Sequence, residues 1–89
     1  MLDRLSAGKR LVGTKQVLKG VASGSVQSVY VALDCDPRIR AQIEDVCEKA
    51  QVPLYEAATM KALGAACHID VGAACAAIPA GENGRGEDV

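Results

Sequence analysis

The sequence predicts an α/β fold, a three-layer α-β-α sandwich around a small mixed four-stranded sheet. Helical and strand patterns alternate along the chain, which places helices on both faces of one sheet. The run VQSVYVAL at 26–33 is rich in β-branched residues and reads as a strand. The run AACAAI at 73–78 is almost entirely small and apolar, which suits a strand pressed on both faces by helices. Eighty-nine residues make one domain. It is expected to occupy residues 1–79, and the polar run AGENGRGEDV at 80–89 reads as a disordered tail.

The elements follow in order. A short helix is expected over about residues 2–10, then a brief strand at Leu11 and Val12. Thr14 reads as the N-cap of the next helix, because a hydroxyl there accepts from the orphan amides of the first turn. That helix is expected to bury Val17, Leu18, Val21 and Ala22, leaving Lys15, Gln16 and Lys19 outward, and Ser23-Gly24 supplies its stop. After the 26–33 strand, Asp36-Pro37 opens a second helix, with Asp as N-cap and Pro at the first helical position. Ile39, Ile43, Val46, Cys47 and Ala50 lie on one face of it, at i, i+4, i+7, i+8 and i+11. Pro53 opens a short strand over 53–57, Thr59 caps a short helix over 60–66, and Pro79 ends the strand at 73–78.

Composition excludes several classes of function. No apolar run approaches the roughly 20 residues of a membrane span. The N-terminus, MLDRLSAGKR, lacks the apolar core of a signal peptide. A cytoplasmic, monomeric protein without a membrane partner is expected. Cys35, Cys47, Cys67 and Cys75 contain no C-x-x-C pair, so they read as small buried hydrophobes with reduced thiols, not as a zinc site. No cofactor is called for. The formal net charge is −1, yet residues 1–20 carry five basic side chains against Asp3 alone. Such asymmetry hints at an anionic partner. The only aromatic residues, Tyr30 and Tyr55, fall within strands, so the exposed stacking platform of single-strand binders is not expected.

Two stretches carry the chemistry. In GTKQVLKG, 13–20, a strand hands over to a helix whose N-terminal amides form an anion site. Lys15 and Lys19 share one face at i and i+4, and Gln16 offers both a donor and an acceptor to a base edge. The frame is not the G-x-x-x-x-G-K-[ST] of a nucleotide phosphate loop. The second stretch, LGAACHIDVGAAC at 63–75, is apolar where a loop is normally polar. Either Ile69 and Val71 turn back into the core, or they form a partly exposed apolar lip able to pack on an unstacked nucleotide. A protein-binding scaffold using that lip is an alternative. So is a small thiol enzyme pairing Cys67 or Cys35 with His68, although no orienting carboxylate or oxyanion hole is apparent.

GTKQ with Lys19, then ALDCDP (32–37), then MKALGAACHIDVGAA (60–74) resembles the kink-turn-binding ribosomal proteins, the L-seven-Ae family, and most closely its short bacterial members. The resemblance covers roughly residues 5–78 and implies an α-β-α sandwich that recognises a kinked RNA helix at tandem sheared G·A pairs. It implies that Gly13 and Thr14 lead a helix into the widened groove, where Lys15, Gln16 and Lys19 contact guanine edges and backbone. Asp34 and Lys61 would flank them, with Ile69, Asp70 and Val71 over the flipped-out nucleotide. The implied partner is structured RNA containing a kink-turn, ribosomal or other, with the ribosome as an expected assembly. Three positions depart from the family pattern: Lys15-Gln16 stands where many members carry Asn-Glu, and His68 where glycine is common.

Overall fold

The computed structural model describes residues 9–80. Within them the chain runs β1 (Leu11–Val12), α1 (Thr14–Ala22), β2 (Val26–Ala32), α2 (Pro37–Ala50), β3 (Leu54–Ala57), α3 (Met60–Ala66) and β4 (Cys75–Pro79). Lys9 and Arg10 are not helical. The remainder of the helix expected over 2–10 lies outside the described residues, as do residues 81–89 of the tail expected over 80–89; Ala80 itself is held, its N–H donating to the Ser25 carbonyl at 2.9 Å.

β2 and β4 form the centre of one mixed sheet of order β1-β4-β2-β3. The two central strands run antiparallel, with Val29 opposite Ala77 and Tyr30 opposite Ala76. β3 pairs parallel to β2, Val31 facing Glu56, and α2 supplies the crossover that a parallel pair requires. β1 adds a two-residue antiparallel edge to β4. α1 and α2 pack on each other and on the sheet, while α3 packs on β2, β3 and β4 from the other side. The predicted sandwich is therefore the observed one.

The strand boundaries differ slightly from the sequence reading. β4 runs 75–79, not 73–78, because the Ala73 N–H is committed to the Met60 carbonyl at 3.0 Å. Pro79 stays in the strand because it ends the ladder, opposite Val26, where a missing N–H is tolerated. Gln27 is the extra residue of a bulge in β2, since Val26 and Ser28 face consecutive residues of β4. The small side chains of Ala76 and Ala77 are wholly buried, as expected for a strand covered on both faces.

Helix packing explains which apolar residues go inside. In α2, Asp36 caps the N-terminus by accepting the Arg38 N–H at 2.9 Å, and Pro37 follows at the first helical position. Ile43 and Cys47 are buried and Ile39 and Val46 half-buried, but Ala50 is exposed. In α1, Ala22 is also exposed, and Gly20 takes its place inside. A Cβ on Gly20 would stand 2.8 Å from side-chain carbons of both Leu11 and Val26, so its absence lets α1 sit close on the sheet.

α3 ends in a Schellman motif. The Ile69 N–H returns to the Gly64 carbonyl at 3.1 Å and the His68 N–H to the Ala65 carbonyl at 3.0 Å. His68 occupies the left-handed position at φ 63, where glycine is usual. Gly64 fits only as glycine, because a Cβ there would overlap the Val71 carbonyl oxygen.

Two outcomes follow for stability. Gly64→Ala should lower the unfolding free energy in a urea titration by about 2–3 kcal/mol, since backbone has to move. His68→Gly should raise it by about 1 kcal/mol. A third outcome concerns acid. The Arg38 N–H, and then its guanidinium, hold the Asp36 carboxyl below its ordinary 3.8. A depressed carboxyl stabilises the fold above its unfolded value and loses that contribution as pH falls through the folded one. The gap in Tm between wild type and Asp36→Ala should therefore be constant near neutrality and close as pH drops below about 3.8.

Candidate nucleic-acid interface

The sheet topology gathers the distant segments at one end. β1 and β2 both run antiparallel to β4, and β3 parallel to β2. The carboxyl ends of β1, β2 and β3 therefore meet the amino end of β4. Gly13–Gln16, Leu33–Asp36, Thr59–Lys61 and the loop leading into Cys75 all emerge there, the end where open α/β sheets hold ligands. Lys19 lies one turn along α1 from Lys15, and both are exposed.

Gly13, not Thr14, is the N-cap of α1. Its φ of 99 and ψ of 154 lie in a region that is essentially glycine's alone, and it turns the chain from β1 into α1 in one residue. Its carbonyl accepts the Val17 N–H, and its own N–H donates to the Cys75 carbonyl, both at 3.0 Å. Thr14 is already helical, so its hydroxyl does not cap; it accepts from the Cys75 thiol at 3.9 Å. No side chain caps this helix and no acidic residue stands in its first turn. The first amides of α1, flanked by exposed Lys15 and Gln16, thus present an uncompensated partial positive charge.

Asp34 and Met60 connect this end to α3. Asp34 Oδ1 accepts the Met60 N–H at 2.7 Å, and Thr59 Oγ1 accepts the Ala62 N–H at 3.0 Å, so two side chains cap one short helix. Met60 in turn holds the following loop, through the Ala73 N–H bond and through Gly72, where a Cβ would stand 3.1 Å from the Met60 side chain. Lys61 is exposed beside these bonds.

The apolar loop divides between the two sequence readings. Ile69 is half-buried against the core, as its place in the Schellman motif demands. Val71 is turned outward and 70% exposed, with Asp70 exposed beside it. Three features were not anticipated. Arg10 Nε donates to the Cys67 carbonyl at 3.0 Å, fixing the loop to β1. Leu33 is 40% exposed at the end of β2. The Gly72–Met60 contact had only a sequence signal, a glycine inside an apolar run.

The thiols lack the lowered pKa of an activated nucleophile. All four are free and buried. Burial pushes Cys75 up to about 11 and raises Cys35, Cys47 and Cys67 as well, the reverse of the activation a nucleophile needs. Among the described residues no group of His, Cys, Asp or Glu is placed to hold a metal, and no helix is long and apolar enough to cross a membrane. Tyr30 is fully buried, its ring 5.3 Å from that of half-buried Tyr55, so neither offers a free stacking face.

The α1 start, flanked by lysines, and the pinned loop thus emerge at one end of a small sandwich, and the missing side-chain cap departs from the Thr14 cap read from the sequence. The chain matches the model of the Ribosomal protein L7Ae/L30e/S12e/Gadd45 family over residues 2–85 and belongs to that family. It is 45% identical over 74 residues to an RNA-binding protein of Geobacillus sp. (strain WCH70), spanning 83% of this chain and 90% of that one. An RNA-binding protein of Caldanaerobacter subterraneus gives the same identity and coverage. Among solved structures, the 15.5kD RNA binding protein of Giardia lamblia superimposes with a TM-score of 0.82 at 30% identity, covering 88% of this chain and 69% of that one.

Gly13→Ala tests the turn into α1. Nothing lies within 4 Å of an added Cβ, so the loss comes from backbone conformation alone. It should amount to about 1–3 kcal/mol in a denaturation experiment.

Proposed function

We propose that this protein binds structured RNA and recognises a kink-turn, as a monomeric, cytoplasmic component of the ribosome or of another ribonucleoprotein. What supports this reading is that the α1 start and the loop leading into Cys75 emerge at the same end of the sheet, in a chain whose relatives are RNA-binding proteins. The α1 amides and the ammonium groups of Lys15 and Lys19 meet phosphates and guanine acceptors, while Gln16 reads an edge as donor and acceptor. Val71 covers an unstacked base, with half-buried Ile69 as its root and Asp70 beside it. Lys61 supplies a flanking positive charge. Asp34, its carboxylate engaged by the Met60 amide, positions α3 and the loop.

With Tyr30 buried and Tyr55 half-buried against it, the scarcity of aromatic faces favours a folded RNA over an extended single strand. Raised thiols favour a binding protein over an enzyme. With Ile69 turned in, Val71 and Leu33 are the large apolar side chains exposed among the described residues, and they offer little of the few hundred Å² that a protein-binding apolar patch covers.

Titration onto a kink-turn RNA, and onto a control whose G·A pairs are replaced by Watson–Crick pairs, tests the proposal. The kink-turn should bind at least about tenfold more tightly, the worth of one or two charge-assisted hydrogen bonds. Equal affinities would sink it. Lys19→Ala should weaken kink-turn binding about tenfold and flatten its salt dependence by roughly one phosphate contact. Lys49→Ala, a change at an exposed α2 lysine paired with Asp45, should do neither.

A further inference from the structure

We propose that the flank of α1 carries a ribose subsite, in which Ser23 and Ser25 accept a hydrogen bond from a 2′-hydroxyl of the bound RNA. This extends the RNA-binding reading above and rests on it. A groove of about 220 Å³ runs along the flank, lined by Leu11, Gln16, Lys19, Gly20, Ser23 and Ser25. Gln16, Lys19 and Ser23 stand at i, i+3 and i+7, a single stripe on one side of the helix. A strand held by Gln16 and Lys19 is therefore led on to the serines, one turn or about 6 Å beyond Lys19.

The two hydroxyls define what the groove accepts. Their oxygens are 2.8 Å apart, and each lies near the Gly20 carbonyl, at 3.1 Å for Ser23 and 3.2 Å for Ser25. A serine hydroxyl has one proton and two lone pairs. The Gly20 carbonyl takes one proton and the bond between the serines takes the other. What the exposed pair offers outward is acceptor capacity. The serines also stand at the carboxyl end of α1, where the helix carries partial negative charge. Both features disfavour a phosphate and favour a neutral donor. On an RNA backbone that donor is the 2′-hydroxyl, the group that distinguishes RNA from DNA. Lys19, one turn back, meets the neighbouring phosphate.

The test pairs the full chain carrying Ser23→Ala and Ser25→Ala with a kink-turn RNA scanned by single 2′-deoxy substitutions. Wild type should lose about 3- to 10-fold at one ribose, the worth of one net hydrogen bond. The double variant should lose the same factor on the all-ribose RNA and nothing further at that deoxy position, a non-additive pair. A flat deoxy scan with wild type overturns the subsite, and that arm is independent of how the variant folds. Losses that multiply at every position overturn it too. Failure of the kink-turn reading looks different: wild type then binds the kink-turn and Watson–Crick RNAs equally, and the serine–ribose coupling is read on either one.

Discussion

The hydrogen bond from the Gly13 N–H to the Cys75 carbonyl, at 3.0 Å, is the tie on which the candidate interface depends. It links the first turn of α1 to the first residue of β4, two segments more than 60 residues apart. β1 is only two residues long and sits at the sheet edge, so it holds α1 in place weakly by itself. Gly13 makes this tie while its positive φ turns the chain into α1, and as a glycine it has no side chain with which to cap the helix. One backbone requirement thus fixes where α1 begins and keeps its amides available to an anion.

A second set of hydrogen bonds does the same for the loop. Asp34 holds Met60, Met60 holds Ala73, and Ala74 receives the Ala32 N–H at 2.8 Å, all at the same end of the sheet. Because the loop is pinned at both flanks, Val71 can be exposed without leaving the loop free to collapse inward. The formal net charge of −1 means that affinity for an anionic partner comes from placement and not from bulk attraction. Lys15 and Lys19 count because they flank a helix start that is already positive at its end.

Much of this was legible in the sequence because it rests on local chemistry. Asp36-Pro37 and Thr59 announce their helices through short-range hydrogen bonds, and both caps form as read. The alternation of patterns gave the sandwich, and the three motifs gave the family. What sequence reading missed depends on contacts across the chain. Thr14 has the chemistry of a cap, but the sharp turn out of β1 moved that position to Gly13. Ala22 and Ala50 fit the apolar period, yet at the ends of their helices they line an open groove between α1 and α2 and stay exposed. Ile69 and Val71 look alike in sequence and separate only because the Schellman motif directs the first inward. The Asp34–Met60 bond spans 26 residues and has no local signature.

The central claim is that the α1 start and the 69–72 loop act as one surface. Backbone amide chemical shifts followed by NMR during titration with a kink-turn RNA test it most directly. The account predicts that the amides of Gly13–Lys19 and of Ile69–Gly72 move together along one binding isotherm, while those of Glu48–Gln51 at the far end of α2 stay in place. Shifts confined to one of the two segments, or the two segments responding with different affinities, would contradict it.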